Sequence, residues 1–365
     1  MVLKQKKENQ SKQISSCYWK RTKQGQSYPI LGGLMKTKLV EDSYNFCKQI
    51  CKNASTTFYS SFSALDYERR KAVHCVYALC RWIDDIVDGD DEPTVQDSIE
   101  LKTQTEERNK VLLEIHAGRN LSNSEEIHNQ RLMALVDIRN NLYRASEGKI
   151  HSNDHPIFIA LQDVFKRYPI RVQDFETVIE GMEDDLFSVQ CNTWDELRAY
   201  CYKVASAVGL ILIEIYGYED RAARLHAIDL GIQMQLINVL RDVNEDLERG
   251  RIYLPKEVLS QHNIDISDLT NPNLSNNTSW KSFMREYLEV VKQHQTSAMH
   301  LFEYLDAKSR VQPRIMQEAY SKIFDDIIKR SGDIFSTPIE LSTLSKMSLW
   351  MKINYMKIKS KMSTE

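Results

Sequence analysis

Tyr77-Ala78-Leu79-Cys80-Arg81-Trp82-Ile83-Asp84-Asp85-Ile86-Val87-Asp88 is the stretch on which the fold class turns. Its apolar residues recur at three- and four-residue spacing, the period of a helix and not of a strand. On that helix Tyr77, Arg81, Asp84 and Asp88 fall at i, i+4, i+7 and i+11, and so share one stripe. Two carboxylates one turn apart repel unless a cation lies between them, and the flanking sequence is too apolar for an ordinary solvated face. Mg²⁺ suits the position, because it takes hard oxygen ligands, commonly one or two carboxylates completed by water and substrate phosphates.

Working outward, a second stretch repeats the pattern. In Gln235-Leu236-Ile237-Asn238-Val239-Leu240-Arg241-Asp242-Val243-Asn244-Glu245-Asp246 the residues Gln235, Asn238, Asp242 and Asp246 fall on one stripe by the same spacing. A single Asp-x-x-x-Asp is common on surface helices. Two copies, each in an apolar helix and each with an Arg, predict facing helices that clamp several Mg²⁺ ions around a diphosphate and assist C–O heterolysis.

The rest of the chain fits a helical body. Only 12 Gly and 8 Pro occur in 365 residues, and apolar residues at helical spacing predict helices over about 39–53, 67–88, 97–116, 128–147, 157–167, 172–188, 195–217, 221–247, 279–307 and 314–331. Residues 263–278, rich in Asn, Asp and Ser, read as a surface loop. The fold class is all-α, with one catalytic domain over 39–335, a basic tail over 1–38 expected to be disordered, and an amphipathic basic helix within 336–365.

Net charge is −3, unevenly spread: residues 1–38 hold nine Lys/Arg against one acid, leaving the remainder at −11. An acidic body excludes nucleic acid as its partner. No segment is read as a membrane span of about 20 apolar residues. The protein is expected to be cytoplasmic, with peripheral contact at a membrane surface left open, as is the oligomeric state. Cys17, Cys47, Cys51, Cys75, Cys80, Cys191 and Cys201 are odd in number and lack paired spacings, which favours free thiols in a reducing compartment. Nucleophilic catalysis has little support, since His74 and His155 have no recognisable Ser or Cys partner.

Taken with Gly181-Met182-Glu183-Asp184-Asp185-Leu186, with Tyr200-Cys201-Tyr202-Lys203-Val204-Ala205-Ser206-Ala207-Val208-Gly209, and with Arg249-Gly250-Arg251-Ile252-Tyr253-Leu254-Pro255, the two acidic runs resemble the squalene/phytoene synthase family from about Val40 to Arg330. Thr57-Phe58-Tyr59 and Arg69-Arg70-Lys71-Ala72 fit the same pattern. The resemblance implies an isoprenoid synthase fold, a single helical domain around a central cavity, and head-to-head joining of two prenyl diphosphates through a cyclopropylcarbinyl diphosphate. It implies that Asp84, Asp88, Asp242 and Asp246, with Asp85 in support, bind Mg²⁺–diphosphate, and that Tyr77, Arg81, Gln235, Asn238 and Arg241 hold diphosphate or metal-bound water. Tyr200 and Tyr320 would line the cavity with Val204, Ala205, Val208 and Leu212. Two departures stand out: Gln190-Cys191 replaces an Arg-Tyr common in the family, and Pro338-Ile339 stands where an Arg-Val pair is usual.

The resemblance also places Phe58 and Phe62 towards the tail end of the cavity, where a bulky ring would shorten it; simple core packing is the competing account. The lean is to farnesyl diphosphate and a C30 product, with phytoene formation from geranylgeranyl diphosphate as the alternative. No Gly-x-Gly-x-x-Gly follows a predicted strand, so no Rossmann nicotinamide site is expected; family members that use NADPH do so without that fold, which leaves reduction open. The rivals are a chain-elongating synthase or terpene cyclase and, from another class, a non-catalytic scaffold of the same fold. A scaffold would be expected to lose its aspartates.

Overall fold

The computed structural model describes residues 29–54, 56–89, 125–187, 189–342, 345–346, 348–349, 351 and 353, with side chains placed from residue 37 onward except at 56–58 and 125–127. Cys17, the side chain of Phe58, the helix expected over 97–116 and most of the amphipathic C-terminal stretch lie outside the described residues. The chain divides into two units at Leu39/Val40. Of the first, only 29–39 is described, as the opening of helix α1 (Pro29–Ala54). The helix thus begins ten residues before the predicted start: Pro29 at its head is compatible with a first helical turn, where its missing N–H has no partner to lose.

The second unit is helical throughout its ordered elements. After α1 come α2 (Thr56–Phe62), α3 (Tyr67–Asp88), α4 (Glu125–Ser146), α5 (Pro156–Arg167) and α6 (Val172–Asp184). Next come α7 (Trp194–Cys201), a π-turn (Tyr202–Ser206), α8 (Ala207–Tyr216), α9 (Ala223–Arg241), α10 (Val243–Glu248) and α11 (Lys256–Gln261). The chain closes with α12 (Thr278–Ala298), α13 (Leu301–Tyr304) and α14 (Val311–Lys329). Among the described residues the extended pairings are isolated bridges, Gln190 with Ile252 and Tyr218 with Leu305. The stretch read as loop, 263–278, contains two 3₁₀ turns, Ile266–Thr270 and Leu274–Asn276.

Local chemistry sets α3 firmly. Asp66 caps it, accepting the Arg69 N–H at 3.0 Å, and Gly89 ends it with a left-handed φ of 79°, the conformation that terminates helices at little cost only for glycine. Ala72, Val73, Cys75, Val76, Leu79, Ile83, Ile86 and Val87 are its buried face. Helix α3 packs on α5, α6 and α8, while α9 packs on α8, α12, α14 and the π-turn. The two acidic helices are therefore walls on a common neighbour, α8.

The segment Trp194–Tyr216 is long and apolar enough to cross a membrane by length and composition, contrary to the expectation that no stretch would be. Half of its most apolar window is buried inside the protein, where the π-turn and α8 pack on α6 and α9. Leu349 and Ile353 are buried in a small cluster with Ile315 and Ala319.

Candidate active site

On α3, Arg81 is the hub of the first acidic run. Its guanidinium donates to Asp84 at 2.9 Å and pairs with Asp85. Asp84 keeps 40% of its side-chain surface and Asp88 only 16%. Burial, and then the neighbouring Asp88 charge, push the Asp84 carboxyl above the ordinary carboxylate range. Tyr77 lies one turn behind Arg81, and burial raises its phenol to about 12.

The second run departs from the single helix predicted over 221–247. Helix α9 stops at Arg241, and Asp242, at φ −103° and ψ 8°, forms a bend before α10. Bonds from the Asp242 N–H to the Asn238 carbonyl (2.8 Å) and from the Asp246 N–H to the Asp242 carbonyl (2.9 Å) carry the four-residue spacing across the bend. The Arg241 guanidinium donates to Asp242 at 2.7 Å, and Asn238 donates to Gln235 at 3.0 Å. Tyr320, buried on α14, lies beside Asn238 and Arg241. Its position is thus beside the polar rim rather than along an apolar wall alone.

Arg251 draws the two runs together. It donates to Asp88 at 2.9 Å, 163 residues away in sequence, and through Nε to the Asp185 carbonyl at 3.2 Å; Arg249 also pairs with Asp88. Its charge also acts on Asp84 and Asp246. Burial, followed by the charges of Asp242 and Asp185, pushes Asp246 up to about 7 despite Arg251. Asp84, Asp88, Asp185 and Asp246 therefore share one electrostatic neighbourhood.

Behind this rim Val204, Val208 and Leu212 recur every four residues along the π-turn and α8. With Ala205 they stay only half-buried, whereas Ser206, Ala207, Leu210 and Ile211 beside them are buried. An apolar stripe left half open on a helix enclosed by α3, α6 and α9 is the kind of wall that binds an apolar ligand. Phe62, 3% exposed, sets its ring edge-on to Tyr77 at 5.8 Å and to His74 at 5.6 Å.

Glu183, Asp184, Asp185 and Tyr253, given no individual role on sequence grounds, lie around Tyr200 and Arg251. Glu183, Asp184 and Asp185 divide: Glu183 is buried against Arg139 (2.6 Å), Asp184 accepts from Lys203 (2.7 Å), and Asp185 accepts from Tyr200 (3.0 Å) and Tyr253 (2.6 Å), whose rings stack at 4.5 Å. Burial pushes Asp185 up to about 6, opposed by Arg251 and the two phenols. The motif Arg249–Tyr253 is held against Gln190-Cys191 by main-chain bonds from Ile252 to Val189 (2.7 Å) and from Cys191 to Ile252 (3.0 Å). The departure at 190–191 thus keeps its main-chain pairing, with the small Cys191 side chain buried in the core. His155 stacks on Trp82 at 4.4 Å and caps α5 through Ile157, a packing function.

A body helical throughout its described elements, with two acidic runs on helices packed against one apolar helix and joined through Arg251, has the arrangement of a prenyltransferase of the isoprenoid synthase fold. The squalene/phytoene synthase family pattern matches residues 51–348, and the chain belongs to that family, whose reaction is head-to-head condensation of two prenyl diphosphates. The chain is 29% identical to phytoene synthase 2 of Solanum lycopersicum, over 85% of this chain and 89% of the relative, and 29% identical to phytoene synthase of Arthrospira platensis, over 84% and 90%. In structure it is similar to a dehydrosqualene synthase solved with a ligand, with a TM-score of 0.68 and 25% identity, covering 89% of this chain and 99% of that one.

Proposed function

We propose that Asp84 and Asp88 on α3, with Asp242 and Asp246 at the α9–α10 bend, hold Mg²⁺ ions that carry the substrate diphosphate, Asp85 supporting them through Arg81. The donor set fits in kind: hard oxygens, with Asp84 driven towards its protonated form by burial and the Asp88 charge, and Asp246 by burial and the Asp242 charge, a repulsion that a divalent cation relieves. Bound there, Mg²⁺ would act as Lewis acid and template for departure of diphosphate. Arg81, Arg241, Arg249 and Arg251 stand beside the carboxylates as charge-assisted donors to diphosphate oxygens. Tyr77, Gln235 and Asn238 supply neutral hydrogen bonds at the same rim. Val204, Ala205, Val208 and Leu212 would receive the prenyl chains, and the rings of Phe62, Tyr200 and Tyr320 would bound them without offering a nucleophile to an allylic cation.

The observation that carries this reading is the reach of Arg251, whose N–H is bonded to the Asp246 carbonyl at the end of the second run, to Asp88 of the first. Asp84→Asn and Asp242→Asn are expected to leave helix content and melting behaviour intact while lowering turnover at least about a hundredfold, the scale of losing one preorganised electrostatic contact. Either variant turning over at the wild-type rate would end the assignment.

For chain length, the Phe62 ring against Tyr77 favours farnesyl diphosphate and a C30 product. The second reading, phytoene from geranylgeranyl diphosphate, is favoured by the phytoene synthases among the relatives. Each diphosphate given to the purified protein with Mg²⁺, with and without NADPH, separates them. A C30 hydrocarbon is expected, reduced only if NADPH is consumed; efficient phytoene formation would overturn the chain length and leave the reaction class standing.

A further inference from the structure

A cavity of about 440 Å³ is lined by residues of α1, α2 and α3, among them Tyr44, Lys48, Tyr59, Arg70 and His74, and by Ile353 of the C-terminal stretch. None of these belongs to the carboxylate rim, and the volume falls within the range of small-ligand sites. His74 is 3% exposed, yet its Nε2 is buried without a hydrogen-bond partner. Buried polar atoms are nearly always satisfied, and an exception calls for an explanation such as an absent ligand. The His74 ring is held in place by stacking on Tyr59 at 5.6 Å and by the edge of Phe62.

The charges point the same way. Lys71 is engaged by Glu68 at 2.9 Å, and Glu41, the carboxylate of the lining, is taken up by the Tyr67 phenol and Lys71. Lys48 and Arg70 have no carboxylate partner among the described residues, and both charges act on His74, whose imidazole burial and these neighbours keep neutral, down to about 4. Two uncompensated cations and a neutral imidazole with an unused nitrogen thus face a pocket walled by three tyrosine rings. Arginine and lysine together suit phosphate oxygens, His74 as its Nε2–H tautomer adds a neutral donor, and the rings suit an apolar or aromatic body.

We propose that this cavity binds a small organic phosphate, with Lys48 and Arg70 holding the phosphate, His74 donating to it, and the tyrosines covering its body. The assignment is independent of the metal-dependent reading of the carboxylate rim. Titration of the full-length protein with phenyl phosphate in EDTA, followed by calorimetry, tests it without occupying a metal–diphosphate site. One binding event is expected, weakened about tenfold or more in Lys48→Ala/Arg70→Ala, as loss of charge-assisted bonds requires. It should also weaken in His74→Phe and be retained in Asp84→Asn/Asp242→Asn. Because Lys48 and Arg70 reach the surface, their replacement leaves the core untouched. Absence of binding at millimolar ligand, unchanged affinity in the Lys48/Arg70 variant, loss in the Asp84/Asp242 variant, or benzoate binding as tightly as phenyl phosphate would each overturn the proposal.

Discussion

Asp246 has an ordinary carboxylate neighbourhood in sequence and an unusual one in space, and its proton affinity reports the difference. Burial and then Asp242 raise it to about 7. A carboxyl raised in the folded protein is stabilised in its protonated form, so the metal-free fold loses stability as pH climbs from the unfolded value towards 7. Metal binding requires the ionised form and reverses the sign. Mg²⁺ affinity is therefore expected to rise between pH 6 and pH 8 and to level off above, with proton release near neutrality. Calorimetry in two buffers of different ionisation enthalpy measures that release; an affinity independent of pH across this window would show that Asp246 takes no part. Asp242, paired with Arg241, illustrates what residue-level reading does supply: the Arg-Asp adjacency was visible in the sequence, whereas the long reach of Arg251 was not.

At the scale of elements, the helices that were legible are those with strong local punctuation. Helix α3 runs over the predicted 67–88 because Asp66 and Gly89 bracket it. Where boundaries depend on tertiary contacts the reading slipped. The run 221–247 bends at Asp242, and 195–217 carries a π-turn at Tyr202–Ser206; both lie where packing overrides propensity, a competition that periodicity does not record. The π-turn is also where α9 comes closest: a Cβ on Gly231 would stand 2.5 Å from Ser206 Cα and 2.6 Å from its nitrogen. Ser206 is fully buried and donates to the Ile228 carbonyl at 2.7 Å, so its backbone has little room to yield. Gly231→Ala should cost about 1–3 kcal/mol, the scale of overpacking a core, and lower the melting temperature accordingly. A variant that melts with the wild type would mean that α9 and the π-turn are not so closely fixed.

For the whole molecule, helical spacing with few Gly and Pro was enough to anticipate an all-α body, and the two acidic runs taken with the motifs at 181–186, 200–209 and 249–255 carried the resemblance that implied the reaction class. What brings the stripes together was hidden. Asp185, Tyr200, Tyr253 and Arg251 lie in three separate segments, and only folding sets two phenols on one carboxylate and a guanidinium between two acidic runs.

Binding of Mn²⁺ in the presence of inorganic diphosphate, followed by the resonance of the free ion, tests most directly whether the two acidic runs act as one site. Wild type, Asp84→Asn, Asp242→Asn and the double variant should be compared. If both runs grip the same metal–diphosphate cluster, either single change removes diphosphate-dependent Mn²⁺ binding as thoroughly as the double one. Independent, additive losses from the two single variants would contradict a shared site.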